Sequence, residues 1–511
     1  MSERRPAWPL AALAGLVAGG LGVGLAELIA GLVAGAPSLV VAIGSLVIDL
    51  QPPGAKQFVV DLFGEADKLA LNLAVLMIAL AIGAGLGVLA SRRQRLAEVG
   101  FLGVGVLAFV ATRVEGDTYD PILSFANAAV AVMVAVVALR WLLRAATPRE
   151  PRAETLDFQR RQFIGGAVAL AGAAAASGVI GRALLTNRET RVSTVPPVPR
   201  PGSTAPPLPQ GASLDVAGIS PIVTPNEAFY RIDTELLVPR IDASTWKLEV
   251  NGMVDNPFTM TYDDLLAMPQ IEQYVTIACV SNEVGGDLVG NAKWQGARLR
   301  DLLDRAGVQD GATQIVGRAN DGWTAGFPTS WAMNPEREPM IAVAMNGEPL
   351  PAQHGYPARL IVPGLYGYVS ATKWLTNIEL TTLEAFDAYW VPRGWAKEAP
   401  ILTQSRIDRP ADGESVAGGT VPIAGVAWAP DRGIAKVEVG IDDGDWVEAE
   451  ISTPISDATW VQWVYRWNAG AGSHRIQVRA TDGNGETQTS ERTRPDPDGA
   501  RGYHTVNVRV T

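Results

Sequence analysis

The chain has 511 residues, a formal net charge of −11 at pH 7 and a single cysteine. The negative charge argues against a nucleic-acid partner, which normally requires a basic face. One cysteine excludes an intramolecular disulfide, a CxxC zinc site and an iron–sulfur cluster held by cysteines alone. The length is sufficient for about three domains.

Residues 1–187 are predicted to form an all-α transmembrane region with about five spans, because long apolar runs match the thickness of a hydrocarbon core. Ser38–Phe63 starts as an apolar stretch but is interrupted by charges and prolines, so we expect it to be re-entrant or interfacial. The predicted spans are Trp8–Ala34, Leu69–Ala90, Val99–Ala111, Ile122–Leu143 and Phe163–Leu185.

Charges in the loops predict the orientation of these spans. The loops around Arg92 and Arg149 are basic, and the turn before the fourth span is acidic. The positive-inside rule places both basic loops in the cytoplasm, so the last span carries the rest of the chain to the extracytoplasmic side.

Arg160-Arg161 and the following apolar run resemble a twin-arginine export signal. Two ordinary positive-inside arginines are the alternative.

Three regions follow the membrane segment. Residues 188–225 are predicted to be a linker, too rich in proline to pack and therefore a semi-rigid, extended tether. Residues 226–399 mix strand-like and helix-like runs, which indicates an α+β domain. Residues 400–511 contain successive short strands and turn signals, which indicate an immunoglobulin-like β-sandwich without a disulfide. The strands expected there are Val421–Trp428, Ile434–Ile441, Trp460–Trp467, Ser473–Thr481 and Tyr503–Val510.

The only cysteine, Cys279, lies at the end of a predicted strand, Tyr274–Val280, and a loop, Ser281–Asn291, follows it. A thiol in this position can face a cleft while its backbone is held rigidly. It could act as a nucleophile or as a ligand of a soft metal. The alternative is a small buried hydrophobic residue, since cysteines outside disulfides are often buried.

A second stretch with chemical potential is His354–Trp374, HGYPARLIVPGLYGYVSATKW. It places His354, Arg359 and Lys373 near glycine-rich turns around a predicted strand, Leu360–Val362. Arginine binds phosphate through two parallel hydrogen bonds, and turn amides form anion-binding nests. The stretch therefore predicts an anion site. A structural loop with an exposed arginine and lysine is the alternative.

A strand that ends in a lone cysteine, the HGYPxRLxVPGxxGxxxxxKW block and a terminal β-sandwich resemble the sulfite oxidase family of molybdopterin enzymes. The resemblance covers about Asn226 to the end of the chain. It implies that Cys279 is the metal ligand of a molybdenum–molybdopterin cofactor, and that the sandwich forms a homodimer. The residues that would bind the pterin and its phosphate are Asn226, His354, Arg359, Gly364, Ser370 and Lys373.

The same resemblance implies a pocket for a small-molecule substrate, lined by Arg231, Arg432 and Trp323. Trp323 stands where the family has a tyrosine upstream of a proline that matches Pro328. Glu283 stands where sulfite-oxidising members carry an arginine shortly after the cysteine. A glutamate in that place would repel a sulfite dianion rather than bind it.

We therefore expect oxygen-atom transfer or a related two-electron reaction on a neutral or cationic substrate, and not classical sulfite oxidation. A true sulfite oxidase and a cofactor-free binding or scaffold protein are the alternatives.

No histidine precedes His354, which excludes a haem held by two histidines of the spans. Electrons must then pass to an unidentified partner protein or a membrane quinone. Glu27 and Asp49 are candidates for such a site, with a helix-packing or interfacial role as the alternative.

Overall fold

The computed structural model describes residues 5–51, 67–114, 119–147, 153–189, 196–239, 241–334 and 337–511. They form two compact units, Met1–Val192 with Thr234–Pro239 and Ser193–Asp233 with Arg240–Thr511. The second part of the predicted re-entrant segment, the loop around Arg149 and the side chain of Arg160 lie outside the described residues.

The first unit consists of helices. Five of the described helices are long and apolar enough to cross a membrane: Trp8–Leu32, Lys68–Ala90, Gln94–Val114, Pro121–Ala146 and Arg161–Thr186. This agrees with the predicted number of spans. The full helices are α1 (Trp8–Leu32), α2 (Leu39–Leu50), α3 (Asp67–Ala90), α4 (Gln94–Val114), α5 (Pro121–Ala146) and α6 (Ala153–Glu189). With 12 residues, α2 is shorter than the roughly 20 residues that a span requires.

Glycines let the first helix approach its neighbours closely. A Cβ at Gly15 would overlap the backbone of Gly83 and Gly87 on α3, and one at Gly31 would lie 2.6 Å from the carbonyl oxygen of Gly181 on α6. Small residues of this kind let helix backbones pack closely, which is the main source of helix association where lipid provides no hydrophobic driving force. The glycines of this region therefore allow the helices to pack closely against one another.

A buried carboxylate joins three elements of this unit. Glu27 of α1 is 6% exposed, and the hydroxyl of Ser38 lies 2.8 Å from both of its carboxylate oxygens. The Val40 amide donates to Glu27 at the start of α2, and the Arg182 guanidinium of α6 lies 3.7 Å away. These contacts support the helix-packing role for Glu27. Asp49 lies exposed near the end of α2. A quinone or partner role for either residue stays a prediction.

The second unit begins with an α+β region built on two sheets, as expected. One has the strand order β2-β1-β10-β5-β6, and the other β3-β4-β7-β8 with β9 paired to β7. The strands are β1 (Lys247–Gly252), β2 (Phe258–Thr261), β3 (Gln270–Ala278), β4 (Val289–Arg298), β5 (Gln314–Ala319), β6 (Thr324–Pro328), β7 (Met340–Met345), β8 (Glu348–Pro349), β9 (Arg359–Ile361) and β10 (Leu375–Thr381). The helices are α7 (Tyr262–Ala267), α8 (Leu299–Ala306), α9 (Thr329–Met333) and α10 (Gly367–Ser370).

The immunoglobulin-like sandwich predicted at the C-terminal end is confirmed. Its sheets have the orders β11-β13-β17-β16 and β12-β19-β18-β14-β15. Trp463 and Trp467 pack in its core with the partly buried Tyr465, as their spacing predicts. The strands are β11 (Gln404–Arg409), β12 (Ser415–Val416), β13 (Gly419–Trp428), β14 (Ile434–Ile441), β15 (Val447–Glu448), β16 (Glu450–Ile451), β17 (Val461–Ala469), β18 (Gly472–Asp482) and β19 (His504–Val510).

The prediction that the proline-rich segment does not pack is wrong for residues 196–225. Ser203 forms a parallel bridge with Ile271 of β3. Gln462 of β17 faces away from the sandwich core, and there its side chain donates to the Ser220 carbonyl at 2.7 Å. Proline removes an N–H donor but keeps its carbonyl, so an extended segment can still dock where its other backbone groups find partners.

Candidate active site

Cys279 follows β3 at the edge of a short, constrained loop. Its amide donates to the carbonyl of Leu288 at 2.9 Å, and its Sγ lies 2.9 Å from the hydroxyl of Ser281. The residue is 8% exposed. The loop is shorter than predicted, because β4 already begins at Val289 and continues the pairing with β3. The thiol is thus held at a fixed point by the ends of two paired strands.

Three buried tyrosines lie close enough to Cys279 to interact with it electrostatically, and no sequence motif indicated them. Burial raises the pKa of Tyr230, Tyr366 and Tyr368, and a negative charge on Cys279 raises each pKa further. Their phenols therefore keep their protons, and Tyr368 donates to the Ala396 carbonyl at 2.5 Å. Neutral phenols beside a thiolate can donate hydrogen bonds to a substrate without adding charge.

Arg359 of β9 forms the centre of a buried cationic group. It is 4% exposed, donates to the His354 carbonyl at 3.2 Å and lies 5.3 Å from the ring centroid of Trp294. Burial lowers the pKa of Arg359 to about 10, so the side chain remains a cation at neutral pH. A buried guanidinium of this kind requires an anionic partner.

Asp233 bridges the other two cations of the group. One carboxylate oxygen accepts from Lys373 at 2.9 Å and from Arg231 at 3.0 Å. Burial is the main cause that lowers the pKa of Lys373 to about 8; Asp233 opposes this shift, and Arg359 adds to it. Three cations, Arg359, Lys373 and Arg231, and one carboxylate leave the group with a net positive charge. The importance of Asp233 was not predicted, although it stands only two residues after Arg231.

His354 and Asn226 complete the cationic group. The Nε2 of His354 lies 2.9 Å from the Asn226 carbonyl, and its ring meets Phe229 edge-on at 5.7 Å. Burial and then the cations Arg359, Lys373 and Arg231 lower the pKa of His354 to about 4, so the ring is neutral at pH 7. The Asn226 side chain accepts from Asn346 at 2.8 Å and is fixed by it.

Two unpaired buried atoms indicate what the cationic group binds. Within this group, as far as the structure describes it, the Nε of Arg359 is a buried donor without a hydrogen-bond partner. The Nδ1 of His354 is also unpaired, and it is an acceptor because the ring is neutral and its Nε2 faces the Asn226 carbonyl. Each such group costs about 1–3 kcal/mol when it is left unsatisfied. A phosphate would supply both the acceptor for Arg359 and the negative charge. The donor set therefore fits the phosphate end of a molybdopterin.

Two of the remaining predicted ligands have mainly backbone roles. Gly364 has a φ of +88°, and a Cβ there would lie 2.8 Å from both Asp431 and Trp331. The Ser370 hydroxyl donates to the Tyr366 carbonyl at 3.0 Å, which fixes α10 beside the site. A direct contact of either residue with the cofactor stays a prediction.

Two predicted pocket residues do not join the group. The Arg432 side chain pairs with Asp482 at 2.7 Å and donates to the Ile401 carbonyl, and its described partners include none of the cationic residues. Trp323 is half-buried in the turn between β5 and β6. Glu283 is exposed on the loop after Cys279. Catalytic roles for Arg432 and Trp323 stay predictions.

Comparison with known proteins decides the family. Residues 235–390 match the model of the oxidoreductase molybdopterin binding domain, and residues 404–478 match that of a bacterial Ig domain. The uncharacterized oxidoreductase YuiH of Bacillus subtilis is 36% identical over 154 residues, which are 30% of this chain and 74% of that protein. The chain belongs to the sulfite oxidase family of molybdopterin-dependent oxidoreductases.

Other family members are similar over part of their length. Human mitochondrial sulfite oxidase is 31% identical over 302 residues, covering 50% of this chain and 55% of that protein. The NADH nitrate reductase 1 of Oryza sativa is 33% identical over 193 residues, covering 33% and 21%. The chain spans about half the length of the mitochondrial sulfite oxidases it matches.

A solved structure shares the fold. The sulfane dehydrogenase SoxCD of Paracoccus pantotrophus superposes with a TM-score of 0.51 and 23% identity, over 57% of this chain and 82% of that one.

The family has a molybdenum–molybdopterin cofactor, and the residues present suit it. Cys279 offers a soft thiolate for the metal. Arg359 and Lys373 offer charge and donors for the pterin phosphate, and the unpaired Nδ1 of the neutral His354 offers an acceptor. When bound, the cofactor supplies a two-electron redox centre, and the protein supplies position and electrostatics. Family membership thus favours an enzyme over the alternative of a cofactor-free scaffold.

Proposed function

We propose that this family member is a membrane-anchored oxidoreductase whose catalytic unit acts on the extracytoplasmic side. Its reaction is oxygen-atom transfer or a related two-electron step. The observation that carries this proposal is the buried cationic group around Arg359, which has an unpaired guanidinium donor and lies in the same unit as Cys279. The five apolar helices support the anchor, and the basic loop around Arg92 supports the orientation.

The protein groups have separate tasks in this proposal. Cys279 holds the metal, and Arg359 and Lys373 hold the anionic end of the cofactor. Tyr230 and Tyr366 are neutral donors that can orient a substrate oxygen. Reduction of a sulfoxide or an N-oxide releases that oxygen as water and consumes two protons and two electrons. The electrons come from a redox partner protein or a membrane quinol.

Charge near the thiol favours a neutral or cationic substrate. Glu283 replaces the arginine of sulfite-oxidising members on the loop after Cys279. Arg231 shares its charge with Asp233 in an ion pair of 3.0 Å. Fewer uncompensated cations thus remain to attract a dianion. Sulfite oxidation is the second candidate, because several relatives are named sulfite oxidases.

Steady-state assays with sulfite and with a panel of sulfoxides and N-oxides test the substrate class. We expect turnover with the neutral acceptors and a poor kcat/KM for sulfite. Glu283→Arg should raise kcat/KM for sulfite on the order of tenfold, because it exchanges repulsion for attraction in partly screened solvent. Asp287→Arg, an equally exposed change on the same loop, is the control. Efficient sulfite oxidation by the wild type would establish the second candidate instead.

Reporter fusions test the orientation. A reporter at the loop around Arg92 should be active in the cytoplasm, and one after Thr511 should be active only outside. A cytoplasmic signal from the fusion after Thr511 would contradict the anchor model. Replacing Arg160 and Arg161 by lysine should impair export if the twin-arginine hypothesis is correct.

The oligomeric state belongs to the same proposal. We expect the sandwich to mediate a homodimer, as the family resemblance implies. The mass of the detergent-solubilised protein, measured by light scattering with the detergent contribution removed, checks this expectation. A strictly monomeric protein across micromolar concentrations would contradict it.

A further inference from the structure

We propose that Arg406, on the first strand of the sandwich, is a positioning residue for the loop that carries the metal ligand. The sandwich would then be a structural part of the catalytic centre in addition to any role in dimerisation. The inference rests on the function proposed above, in which Cys279 binds the metal. It concerns residues that lie far apart in the sequence and share no motif.

The guanidinium of Arg406 joins three separate segments. It donates to the Gly286 carbonyl at 2.8 Å, to the Asp408 carboxylate at 2.7 Å and to the Ser220 hydroxyl at 2.7 Å. Asp408 in turn accepts from the Ser220 amide at 2.8 Å. The Arg406 side chain is 11% exposed, so solvent competes little for these bonds. Hydrogen bonds from a charged donor are shorter and stronger than neutral ones.

His504 of β19 supports the same loop beside Arg406. Its Nδ1 accepts from the Ile407 amide at 2.9 Å, which fixes the ring. Gly285 has a φ of +83°, and a Cβ there would overlap the His504 ring. The glycine therefore serves two purposes, since it permits the left-handed turn and lets the loop lie directly on the sandwich.

Bonds inside the loop connect this contact to the thiol. The Leu288 amide donates to Asn282 at 2.9 Å, and the Leu288 carbonyl accepts from the Cys279 amide at 2.9 Å. Gly286 is only two residues before Leu288. A displacement of Gly286 would therefore reach the Cys279 backbone through a short, hydrogen-bonded path. Small shifts of a metal ligand change the electronic properties of the metal, as outer-shell contacts do in other metal sites.

The test uses the full-length holoenzyme and two variants that disturb opposite sides of the contact. Arg406→Lys keeps the charge but cannot make three directed bonds. Gly285→Ala leaves the sandwich sequence intact and forces the loop away from His504. Arg466→Lys changes an exposed arginine of the same domain and is the control.

Hydrogen exchange of residues 280–288 reports the mobility of the loop, and hydrogen exchange of β13 and β17 reports whether the sandwich is folded. The Mo(V) electron paramagnetic resonance spectrum and the midpoint potential report the metal.

In both variants we expect loop exchange to accelerate by roughly tenfold, because a charge-assisted bond or a close contact no longer restrains local opening. Exchange of β13 and β17 should stay unchanged, while the Mo(V) spectrum shifts. Arg466→Lys should match the wild type. Unchanged loop exchange and an unchanged spectrum in folded variants would overturn the proposal. If Arg406→Lys fails to fold, the result for Gly285→Ala decides whether the proposal holds.

The failure of the proposed function would look different. In that case Cys279→Ser would leave the Mo(V) spectrum unaltered, whereas loop exchange in Arg406→Lys would still accelerate. Failure of the positioning role alone leaves a strong effect of Cys279→Ser on the spectrum and no effect of Arg406→Lys on exchange.

Discussion

The two sides of the candidate active site are built in different ways. The cationic side comes largely from one short stretch, since His354, Arg359 and Lys373 lie within it. The thiol side is assembled from distant segments, with Tyr230 and Tyr366 near Cys279. The position of the thiol therefore depends on contacts between several segments of the unit. Changes on the cationic side should therefore affect retention of the cofactor, and changes on the thiol side should affect its chemistry.

The largest effect expected on the thiol side is that of Cys279→Ser. A hard, weakly acidic hydroxyl replaces a soft thiolate, so turnover should fall by several orders of magnitude while the fold and the pterin content persist. Pterin analysis, metal analysis and steady-state kinetics measure the three quantities. Ser281→Ala removes the hydroxyl next to the thiol and should retain most of the activity. Wild-type turnover in Cys279→Ser would disprove the ligand assignment.

On the cationic side, Asp233→Asn should cause the largest loss of stability. It leaves the buried Lys373 charge without its counter-charge, which costs about 3–5 kcal/mol in buried pairs. The matched change Asp387→Asn breaks an exposed pair with Lys397 and should cost about 0–1 kcal/mol. Thermal unfolding of the cofactor-free protein compares the two. Equal shifts in the melting temperature would show that Asp233 is not a buried counter-ion.

Arg359→Met should weaken cofactor binding without affecting the thiol. Bonds from charged donors contribute about 1.5–3 kcal/mol each, so we expect affinity to fall by about a hundredfold. Titration of the cofactor-free protein with molybdopterin measures this change. Arg318→Met, which removes a half-exposed arginine paired with Glu379, is the control. If Arg359→Met binds molybdopterin as tightly as Arg318→Met, the anion site lies elsewhere.

The smallest effect expected is a pH dependence of cofactor binding. With a pKa of about 8, Lys373 loses its proton as the pH rises from 7 to 9, and its attraction for a phosphate is lost with it. Affinity of the cofactor-free protein should then fall by about tenfold or less, as for one weakened charge pair. Lys373→Arg stays protonated and should remove most of this dependence, whereas Lys397→Arg should retain it. An identical pH profile in both variants would exclude Lys373 as the titrating group.

The difference between the two sides also explains which features the sequence could predict. Strand Ile434–Ile441 has the predicted ends, because local patterning defines them. The stretch His354–Trp374 was proposed as an anion site for the same reason. Asp233 and Arg406 were missed, since their partners are fixed by tertiary contacts. Arg432 was predicted to line the pocket because of the family resemblance, but its guanidinium forms an ion pair with Asp482.

The docked proline-rich segment has a further consequence, which concerns aggregation. Strand β3 is at the edge of its sheet, where unpaired backbone groups could recruit a strand from another molecule. The bridge between Ser203 and Ile271 and the bond from the Thr276 amide to Ala458 cover part of this edge. Because proline has no N–H to donate, the covering segment is itself a poor template for another strand. The same prolines that predicted an extended, unpacked tether therefore help to protect the sheet that precedes Cys279 from edge-to-edge association.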